Sequence, residues 1–295
     1  MKYVYYPGCS LEGSAREYDL STRAFLAAVG AELIEIEGWT CCGASAAEAT
    51  SRLLALTLPA RNLALAEKIG GTKEMLVPCS ACYLNLKAVE EKVKRDAALL
   101  DRINAVLAVE GLQYAGQIRV RHLLEVIVRD IGPGVIAGKA NRSLAGISIA
   151  AYYGCQCLRP YAVFDDPEAP RSMTPLLEAA GAAVHHWDMG GKCCGASHMN
   201  TKMAVGMELV RSILSQAKGA DAIVTVCPMC QMNLEAYQGK ISKLSGENLA
   251  VSVLYLPQLL GLALGLSEQE VRLELNLAVT DGFRQKLRQP EPVHA

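Results

Sequence analysis

Two cysteine sets of the same form constrain this sequence more than any other feature. Each set reads C…CC…CxxC, and in both sets Gly-Ala-Ser follows the paired cysteines. The first set is Cys9, Cys41, Cys42, Cys79 and Cys82, and the second is Cys155, Cys193, Cys194, Cys227 and Cys230. Equivalent cysteines lie 146 to 152 positions apart. A repeat of that length predicts two copies of one folded domain.

Residues around the cysteines repeat as well. The segment YYPGC of the first half corresponds to AYYGC of the second, and MLVPCSACYLNL corresponds to VTVCPMCQMNL. Asn85 and Asn233 therefore each stand three residues after the last cysteine of their set. Agreement at so many positions supports the duplication of a complete domain rather than a chance recurrence of cysteines.

The pattern of apolar residues predicts alternating strands and helices in both halves. In the first half, β-rich segments such as MKYVYY and KEMLV alternate with segments that carry apolar residues at helical spacing. The second half repeats this order. Such alternation predicts an α/β fold of two duplicated, Rossmann-like parallel sheets with helices on both faces. We expect domains at 1–140 and 141–295, with a helical insert at 87–130 between the repeats.

In this prediction every cysteine cluster follows a strand and leads into a helix. Ligands of open α/β sheets bind at the carboxyl ends of the strands, where the loops converge. Helix N-termini also favour negative charge, which lowers the pKa of a thiol. The sequence therefore predicts one thiol-rich site at the edge of each sheet. Gly43 and Gly195, directly after the paired cysteines, are expected to adopt a positive φ or to allow close backbone approach.

Composition excludes several classes of function and indicates a compartment. The chain has 295 residues and a formal net charge of -1, so nothing favours binding to nucleic acid or to an anionic membrane surface. The N-terminus lacks the pattern of a secretory signal. The most apolar segment, 251–266, is interrupted by Pro257 and is shorter than the roughly 20 residues of a membrane span. We predict a cytoplasmic chain with no transmembrane segment, and a strand followed by a buried or partner-facing helix at 251–266.

Eleven cysteines are a large number for a chain in a reducing compartment. An odd count cannot pair completely, and structural disulfides are typical of small secreted domains. A structural zinc ion needs four ligands in a tetrahedron, which adjacent cysteines supply poorly because their side chains diverge. An iron–sulfur cluster has several metal atoms, so adjacent thiolates can bind different irons. We favour the iron–sulfur interpretation over disulfides and zinc.

The complete pattern resembles the B subunit of heterodisulfide reductase, whose cysteine-rich repeat is called the CCG domain. The resemblance implies two non-cubane 4Fe–4S clusters, one in each repeat, with the five cysteines of that repeat as ligands. The implied ligands are Cys9, Cys41, Cys42, Cys79 and Cys82 for one cluster, and Cys155, Cys193, Cys194, Cys227 and Cys230 for the other. Cys157 lies outside the repeated pattern, and we interpret it as a packing thiol near the cluster rather than a ligand.

The resemblance also implies a reaction and partners. Such a chain is the catalytic iron–sulfur subunit that cleaves or forms a disulfide between two clusters, in a complex with a ferredoxin-like iron–sulfur protein (the C subunit) and a flavoprotein (the A subunit). Two alternatives stay open: a sulfur-oxidising heterodisulfide-reductase-like complex, and the CCG subunit of a succinate or thiol:fumarate oxidoreductase. His198 is a candidate proton donor, because the pKa of histidine lies near neutrality. The apolar segment around 256–266 and the insert are expected to offer docking surfaces for the iron–sulfur partner.

Overall fold

Two four-stranded parallel sheets, one in each half of the chain, form the framework of the molecule. The computed structural model describes residues 1–44 and 46–288. The strands of the first sheet are β1 (Lys2–Tyr5), β2 (Glu32–Glu35), β3 (Glu74–Val77) and β4 (Arg119–His122). Those of the second sheet are β5 (Ser148–Tyr152), β6 (Ala183–Val184), β7 (Ala222–Thr225) and β8 (Ser252–Tyr255). The strand orders, β2-β1-β3-β4 and β6-β5-β7-β8, are equivalent, which confirms the duplicated α/β fold.

Helices connect the strands in both halves. Those of the first half are α1 (Cys9–Glu12), α2 (Arg16–Ala28), α3 (Ala46–Thr50), α4 (Arg52–Glu67), α5 (Ser80–Val93), α6 (Ala97–Leu107), α7 (Leu123–Val126) and α8 (Gly132–Lys139). Those of the second half are α9 (Thr174–Ala179), α10 (Met203–Gln216), α11 (Pro228–Ala236), α12 (Gln238–Ser245), α13 (Leu256–Ala263) and α14 (Asp281–Arg288). The predicted alternation of strands and helices is therefore present in both repeats.

Short apolar strands at the centre of each sheet explain this fold class. All four residues of β7 are buried, as are the last three of β1 and of β3. Parallel strands that are buried on both faces have continuous apolar runs rather than alternating ones. All strand pairs are parallel, and β1 places Val4 beside Ile34 of β2 and Met75 of β3. The carboxyl ends of the strands, where the cysteines follow, therefore share one edge of each sheet.

The segment 87–130 contains the expected helices and also the fourth strand of the first sheet. Arg119–His122 pairs in parallel with β3. The sequence RVRH conceals this strand because Arg121 is buried although it is charged, and its guanidinium pairs with Glu125 and Asp130. Charged residues of this kind interrupt the apolar pattern from which strands are predicted.

The apolar segment 251–266 lies largely inside the molecule. It forms β8 and α13, and every residue of α13 is buried. The helix packs against α2 of the first half, so its apolar surface is removed from water by contact within the chain. Our expectation of a partner-docking surface around 256–266 is therefore wrong. No helix in the described part of the chain is long and apolar enough to cross a membrane.

Buried apolar side chains of the described residues form two clusters, and the larger cluster spans both repeats. This larger cluster extends from Tyr5 and Leu76 of the first sheet to Leu254 and Leu256 of the second half. Helix α8 of the first half packs against α9 of the second, just as α13 packs against α2. Helices of each half thus contact helices of the other half. The domain boundary at residue 140 stays a prediction.

Candidate functional site

The first cysteine set converges at the carboxyl end of the first sheet. Cys9 begins α1 directly after β1, and Cys79 is the N-cap residue of α5. The Sγ atoms of Cys9 and Cys41 lie 3.7 Å apart, and those of Cys42 and Cys82 lie 3.4 Å apart. The fold therefore gathers cysteines from three loops, one after each of the first three strands.

The second set repeats this arrangement at the second sheet. The Sγ atoms of Cys194 and Cys230 lie 3.6 Å apart, as the counterpart of the buried pair in the first set. Cys227 is the N-cap residue of α11. Cys193 is exposed and Cys155 is partly exposed, like the outer thiols of the first set. Each site thus has an inner, buried pair of thiols, an outer, more accessible pair, and one further buried thiol, which is Cys79 in the first site and Cys227 in the second.

Glycines lie against the inner sulfur atoms, where a side chain would not fit. A Cβ atom added to Gly8 would lie 2.8 Å from the Sγ of Cys82, and one added to Gly154 would lie 3.0 Å from the Sγ of Cys230. Both glycines have a positive φ, 75° and 71°, which other residues rarely adopt. Backbone therefore approaches the CxxC sulfur closely in both repeats.

The glycines after the paired cysteines have the positive φ that the sequence predicts. The φ angle is 83° at Gly43 and 75° at Gly195. Their backbone N–H groups donate to the Sγ of Cys41 at 3.4 Å and to the Sγ of Cys193 at 3.3 Å. Donation of this kind favours the thiolate over the thiol.

A buried tyrosine hydroxyl holds one side of each paired-cysteine loop. Tyr6 donates to the carbonyl of Thr40, directly before the first CC pair, at 2.7 Å. Tyr152 donates to the carbonyl of Lys192, directly before the second CC pair, at the same distance of 2.7 Å. Sequence reasoning missed this role. The available signal was that both tyrosines stand three residues before the first cysteine of their set.

An asparagine amide holds the other side of each loop. The Nδ2 atom of Asn85 donates to the carbonyls of Cys42 at 3.2 Å and Ala44 at 3.1 Å, and it lies 3.8 Å from the Sγ of Cys42. The Nδ2 atom of Asn233 donates to the carbonyl of Cys194 at 2.8 Å. The repetition of these asparagines was visible in the sequence, but their hydrogen bonds to the CC backbone were not.

The thiols of each set differ in pKa. A hydrogen bond from Cys41 lowers the pKa of the Cys42 thiol, and the same interaction raises the pKa of Cys41. In the second set, a hydrogen bond from Cys155 lowers the pKa of Cys193 to about 5. Each site therefore contains a thiol that ionises readily near neutral pH, which is the form that binds metals.

The donors at each site suit an iron–sulfur cluster. All of them are cysteine sulfurs, and soft thiolate ligands are typical of iron–sulfur clusters and of zinc. In residues 1–44 and 46–288, no three His, Cys, Asp or Glu side chains converge closely enough to hold a single metal ion. The thiols instead meet in pairs beside a glycine. Such a spread donor set fits a group with several metal atoms.

The first site opens to solvent through a cavity, and a second cavity lies beside the second site. Cys9, Cys41 and Trp39 line a cavity of 730 Å³ at the first site. A second cavity, of 820 Å³, is lined by Trp187 and by Lys192, which directly precedes the second CC pair. A small substrate or a partner side chain therefore has access to the outer thiols of the first site, whereas none of the five cysteines of the second set lines the second cavity.

Two further candidates from the sequence lie beside the second site. His198 ends a 3-10 turn after the CC pair and is exposed. After the larger effect of Cys155, its positive charge also lowers the pKa of Cys193. Cys157 is buried and donates to the carbonyl of Tyr153 at 3.2 Å, and burial raises its pKa. The structure thus leaves Cys157 outside the inner and outer thiol pairs.

Comparison with known protein families identifies the repeated unit. The family model named CCG, described as a cysteine-rich domain, matches residues 3–87 and 149–235. Each range contains one complete set of five cysteines. The duplication inferred from the cysteine spacing therefore corresponds to two copies of one known domain.

Several curated proteins resemble the chain over most of its length. The 8-methylmenaquinol:fumarate reductase membrane anchor subunit of Wolinella succinogenes is 35% identical, over 94% of this chain and 96% of that protein. A protein of Archaeoglobus profundus, named as similar to the B subunit of heterodisulfide reductase, is 28% identical, over 92% and 93%. The B subunit of the ferredoxin/F(420)H(2)-dependent CoB-CoM heterodisulfide reductase of Methanosarcina acetivorans is 27% identical, over 97% of both chains.

A solved structure shares the fold. A hypothetical protein from Helicobacter pylori superimposes with a TM-score of 0.78 at 17% identity, over 95% of this chain and 52% of that one. The chain therefore spans about half of that protein, and the similarity concerns the fold alone.

Proposed function

The chain belongs to the CCG cysteine-rich domain family, and from that premise we propose that it is an iron–sulfur redox subunit of the heterodisulfide-reductase type. The observation that supports this proposal best is the pair of matched five-cysteine sites in one chain. Relatives named after the B subunit of heterodisulfide reductase align with nearly its full length. The relatives' names imply a redox role within a complex of several subunits.

In this proposal each repeat holds one non-cubane 4Fe–4S cluster. The proposed ligands are Cys9, Cys41, Cys42, Cys79 and Cys82 in the first repeat, and Cys155, Cys193, Cys194, Cys227 and Cys230 in the second. Cys157 is not among them, because it lies outside the pattern of five cysteines that both repeats share. When bound, the two clusters would supply the two electrons that reduce a disulfide to two thiols, or accept them in the reverse reaction.

The chain's own residues would position the ligands and control access to them. Tyr6 and Asn85 fix the backbone on the two sides of the first CC pair. Gly8 leaves room at the inner sulfur, while Cys9 and Cys41 line an open cavity. The inner thiols are thus shielded from water, and the outer thiols face the substrate.

We assign the substrate as a disulfide or a related sulfur compound that is cleaved or formed between the two sites. Cleavage of a disulfide to two thiols consumes two electrons and two protons. His198 is the proposed proton donor, because it is exposed and its charge acts on Cys193. In the sulfur-oxidising alternative the same groups act in the reverse direction.

Electrons must reach these sites from other proteins of the complex. The sequence contains neither a CxxCxxCxxxCP ferredoxin run nor a GxGxxG dinucleotide fingerprint. We therefore propose two partners in a cytoplasmic complex: a ferredoxin-like iron–sulfur protein, as the C subunit, and a flavoprotein, as the A subunit.

A second candidate function rests on a different relative. The fumarate reductase anchor subunit of Wolinella succinogenes is 35% identical to the chain over nearly the full length of both proteins. In this alternative the chain is the CCG subunit of a succinate or quinol:fumarate oxidoreductase. The two proposed sites would then pass electrons between a quinol and a fumarate-reducing partner.

Metal analysis of the anaerobically purified chain tests the cluster assignment. The chain should contain about eight irons, and Cys42→Ala and Cys194→Ala should each lower the content towards half, since each removes a ligand of one four-iron cluster. Cys157→Ala is the matched control and should retain all the iron. One tightly bound zinc per repeat with no iron would refute the assignment.

Activity of the native complex distinguishes the two functions. The complex should reduce a disulfide with a low-potential electron donor, and Cys42→Ala and Cys194→Ala should each abolish turnover. Quinol-dependent fumarate reduction without disulfide reduction would instead establish the second candidate.

A further inference from the structure

The two CxxC loops touch one buried tyrosine at the contact between the repeats. Tyr18 of α2 is fully buried, and its hydroxyl lies 3.1 Å from the carbonyl of Pro78 and 3.1 Å from the carbonyl of Val226. Pro78 directly precedes Cys79, and Val226 directly precedes Cys227. A single hydroxyl group therefore reaches the equivalent backbone position of both sites.

Ser80, inside the first CxxC motif, adds a second contact across the repeats. Its hydroxyl donates to the carbonyl of Val226 at 3.2 Å, and its Oγ lies 3.1 Å from the Nε2 of His122. Ser80 corresponds to Pro228 in the second repeat, which has no hydroxyl. This hydrogen bond therefore runs from the first site to the second, and Pro228 cannot donate an equivalent bond in return.

The direction of the hydrogen bonds around His122 is fixed. Its Nδ1 accepts the backbone N–H of Leu124 at 3.1 Å, so in the neutral ring Nε2 carries the proton. Burial lowers the pKa of His122 to about 3, so the ring is neutral at physiological pH. Nε2–H therefore donates to Ser80, which leaves the hydroxyl proton of Ser80 for the carbonyl of Val226.

Tyr255, which corresponds to His122 in the second repeat, also contacts Tyr18. His122 ends β4, and Tyr255 ends β8. The rings of Tyr18 and Tyr255 stack with their centroids 3.9 Å apart and their planes 2° from parallel. Stacking on Tyr255 thus fixes the ring of Tyr18, and this stacking does not require the Tyr18 hydroxyl.

We infer that Tyr18, Ser80 and His122 form an inter-repeat clamp, which fixes the two CxxC loops to each other and so sets the separation of the two sites. The inference rests on the proposed function, because a fixed separation matters when both sites act on one substrate. Reactions of two positioned groups lose rate steeply when the groups are displaced by about 1 Å. These three are positioning residues, since none of them belongs to the proposed ligand sets.

Hydrogen exchange tests the clamp directly. Tyr18→Phe keeps the aromatic stack and removes the hydroxyl. The amides of both loops, 79–82 in the first and 226, 227, 229 and 230 in the second, should then exchange about fivefold faster, as expected for the loss of one hydrogen bond. Ser80→Ala is the second variant and should speed exchange in 226–230. The measurement uses the chain as purified and does not depend on its iron content.

Matched controls come from the repeats themselves. Tyr6→Phe and Tyr152→Phe also remove a buried hydroxyl that donates to a carbonyl, but each acts within one repeat. Tyr6→Phe should speed exchange only around the first CC pair, and Tyr152→Phe only around the second. If Tyr18→Phe altered one CxxC loop alone, or neither, the clamp would be disproved.

The iron-loaded chain provides an independent readout. Tyr18→Phe should contain as much iron as the wild type. The splitting that the magnetic interaction between the two reduced sites causes in the electron paramagnetic resonance spectrum should become broader, because the distance between the sites is less well defined. Leu244→Ala, at an exposed position of α12 away from both sites, should leave that interaction unchanged. An unaltered interaction in Tyr18→Phe argues against the inference, whereas a wild type without iron refutes the proposed function and leaves the exchange test valid.

Discussion

At the scale of single residues, each CC loop is held by side chains that recur with the duplication. A tyrosine hydroxyl binds the carbonyl before the pair, and an asparagine amide binds the carbonyl of its second cysteine. The repeats differ in one respect, since Asn85 binds two carbonyls and lies near a sulfur whereas Asn233 binds one carbonyl. Partners that orient the ligands of a metal site commonly affect its occupancy and potential.

We expect Asn85→Ala to weaken the first site and Asn233→Ala to weaken the second. Each lost hydrogen bond contributes about 1 kcal/mol, so Asn85→Ala should have the larger effect. The iron content and the rate of iron loss to a chelator, measured for both variants, check this. Each variant is the control for the other, and equal loss from both sites in either variant would contradict the assignment.

Glu235 makes the stability of the chain depend on pH. Burial is the largest cause that raises the pKa of this carboxyl from 4.5 to about 7; the charge of Glu17 acts in the same direction, and hydrogen bonds from Ala278, Leu277 and Asn276 oppose it. The folded state therefore binds this proton more tightly than the unfolded state. Its contribution is present below pH 4.5, falls as the pH rises towards 7, and is absent above it.

Replacement of this carboxyl by an amide should remove that pH dependence. Relative to Glu235→Gln, the wild type should lose about 3 kcal/mol of unfolding free energy between pH 4.5 and 7.5. Denaturant unfolding of both proteins across this range measures the difference. A constant difference between them would show that Glu235 has the same pKa in the folded and unfolded states.

At the scale of secondary structure elements, α13 joins the repeats. The helix is buried along its whole length and is apolar except for Gln258, whose side chain is hydrogen-bonded. It packs on α2, which also carries Tyr18. A helix that is apolar all round is typical of a protein interior. Helices α2 and α13 therefore join the two repeats and also form part of the core that the repeats share.

Leu260→Ala should destabilise the whole chain. Leu260 is 0% exposed on α13, and truncation of a buried leucine costs about 2–5 kcal/mol. Leu244→Ala on α12 is the matched control, because its side chain is 71% exposed and the expected change is within about 0.5 kcal/mol. Denaturant midpoints of the two variants test this, and similar midpoints would mean that α13 contributes little to the shared core.

At the scale of the whole molecule, two sites of the same design lie in one chain whose halves pack against each other. One core cluster spans both repeats, and helices from each half pack on the other. What the chain lacks in its sequence is a pattern for accepting electrons from a nicotinamide or flavin donor.

The isolated chain should therefore be inactive with a physiological electron donor. NAD(P)H- or flavoprotein-driven disulfide reduction should require a ferredoxin-like partner protein. The comparison is the rate with and without that partner, with an artificial low-potential dye as the control that the sites are intact. Full activity of the chain alone would mean that it carries its own electron input.

The sequence by itself determined the duplication, the α/β fold class and the family. These follow from residues that are near one another in the chain or recur at fixed spacing: the CC and CxxC pairs, the glycines beside them and the apolar strands. The assignment of the ten cysteines as ligands stays a prediction, as does the compartment. Local pattern was sufficient here because a strand, a helix and a CxxC loop each form from neighbouring residues.

Only the tertiary structure decided the rest. It showed that RVRH is a strand that pairs with β3, in which the charged Arg121 is buried against the carboxylates of Glu125 and Asp130. It decided between the two alternatives predicted for the helix after β8, buried or partner-facing, because every residue of α13 is buried. It also placed Tyr18 beside Val226, 208 positions later in the chain. Contacts between residues so far apart depend on how the two repeats pack, which no local pattern in the sequence encodes.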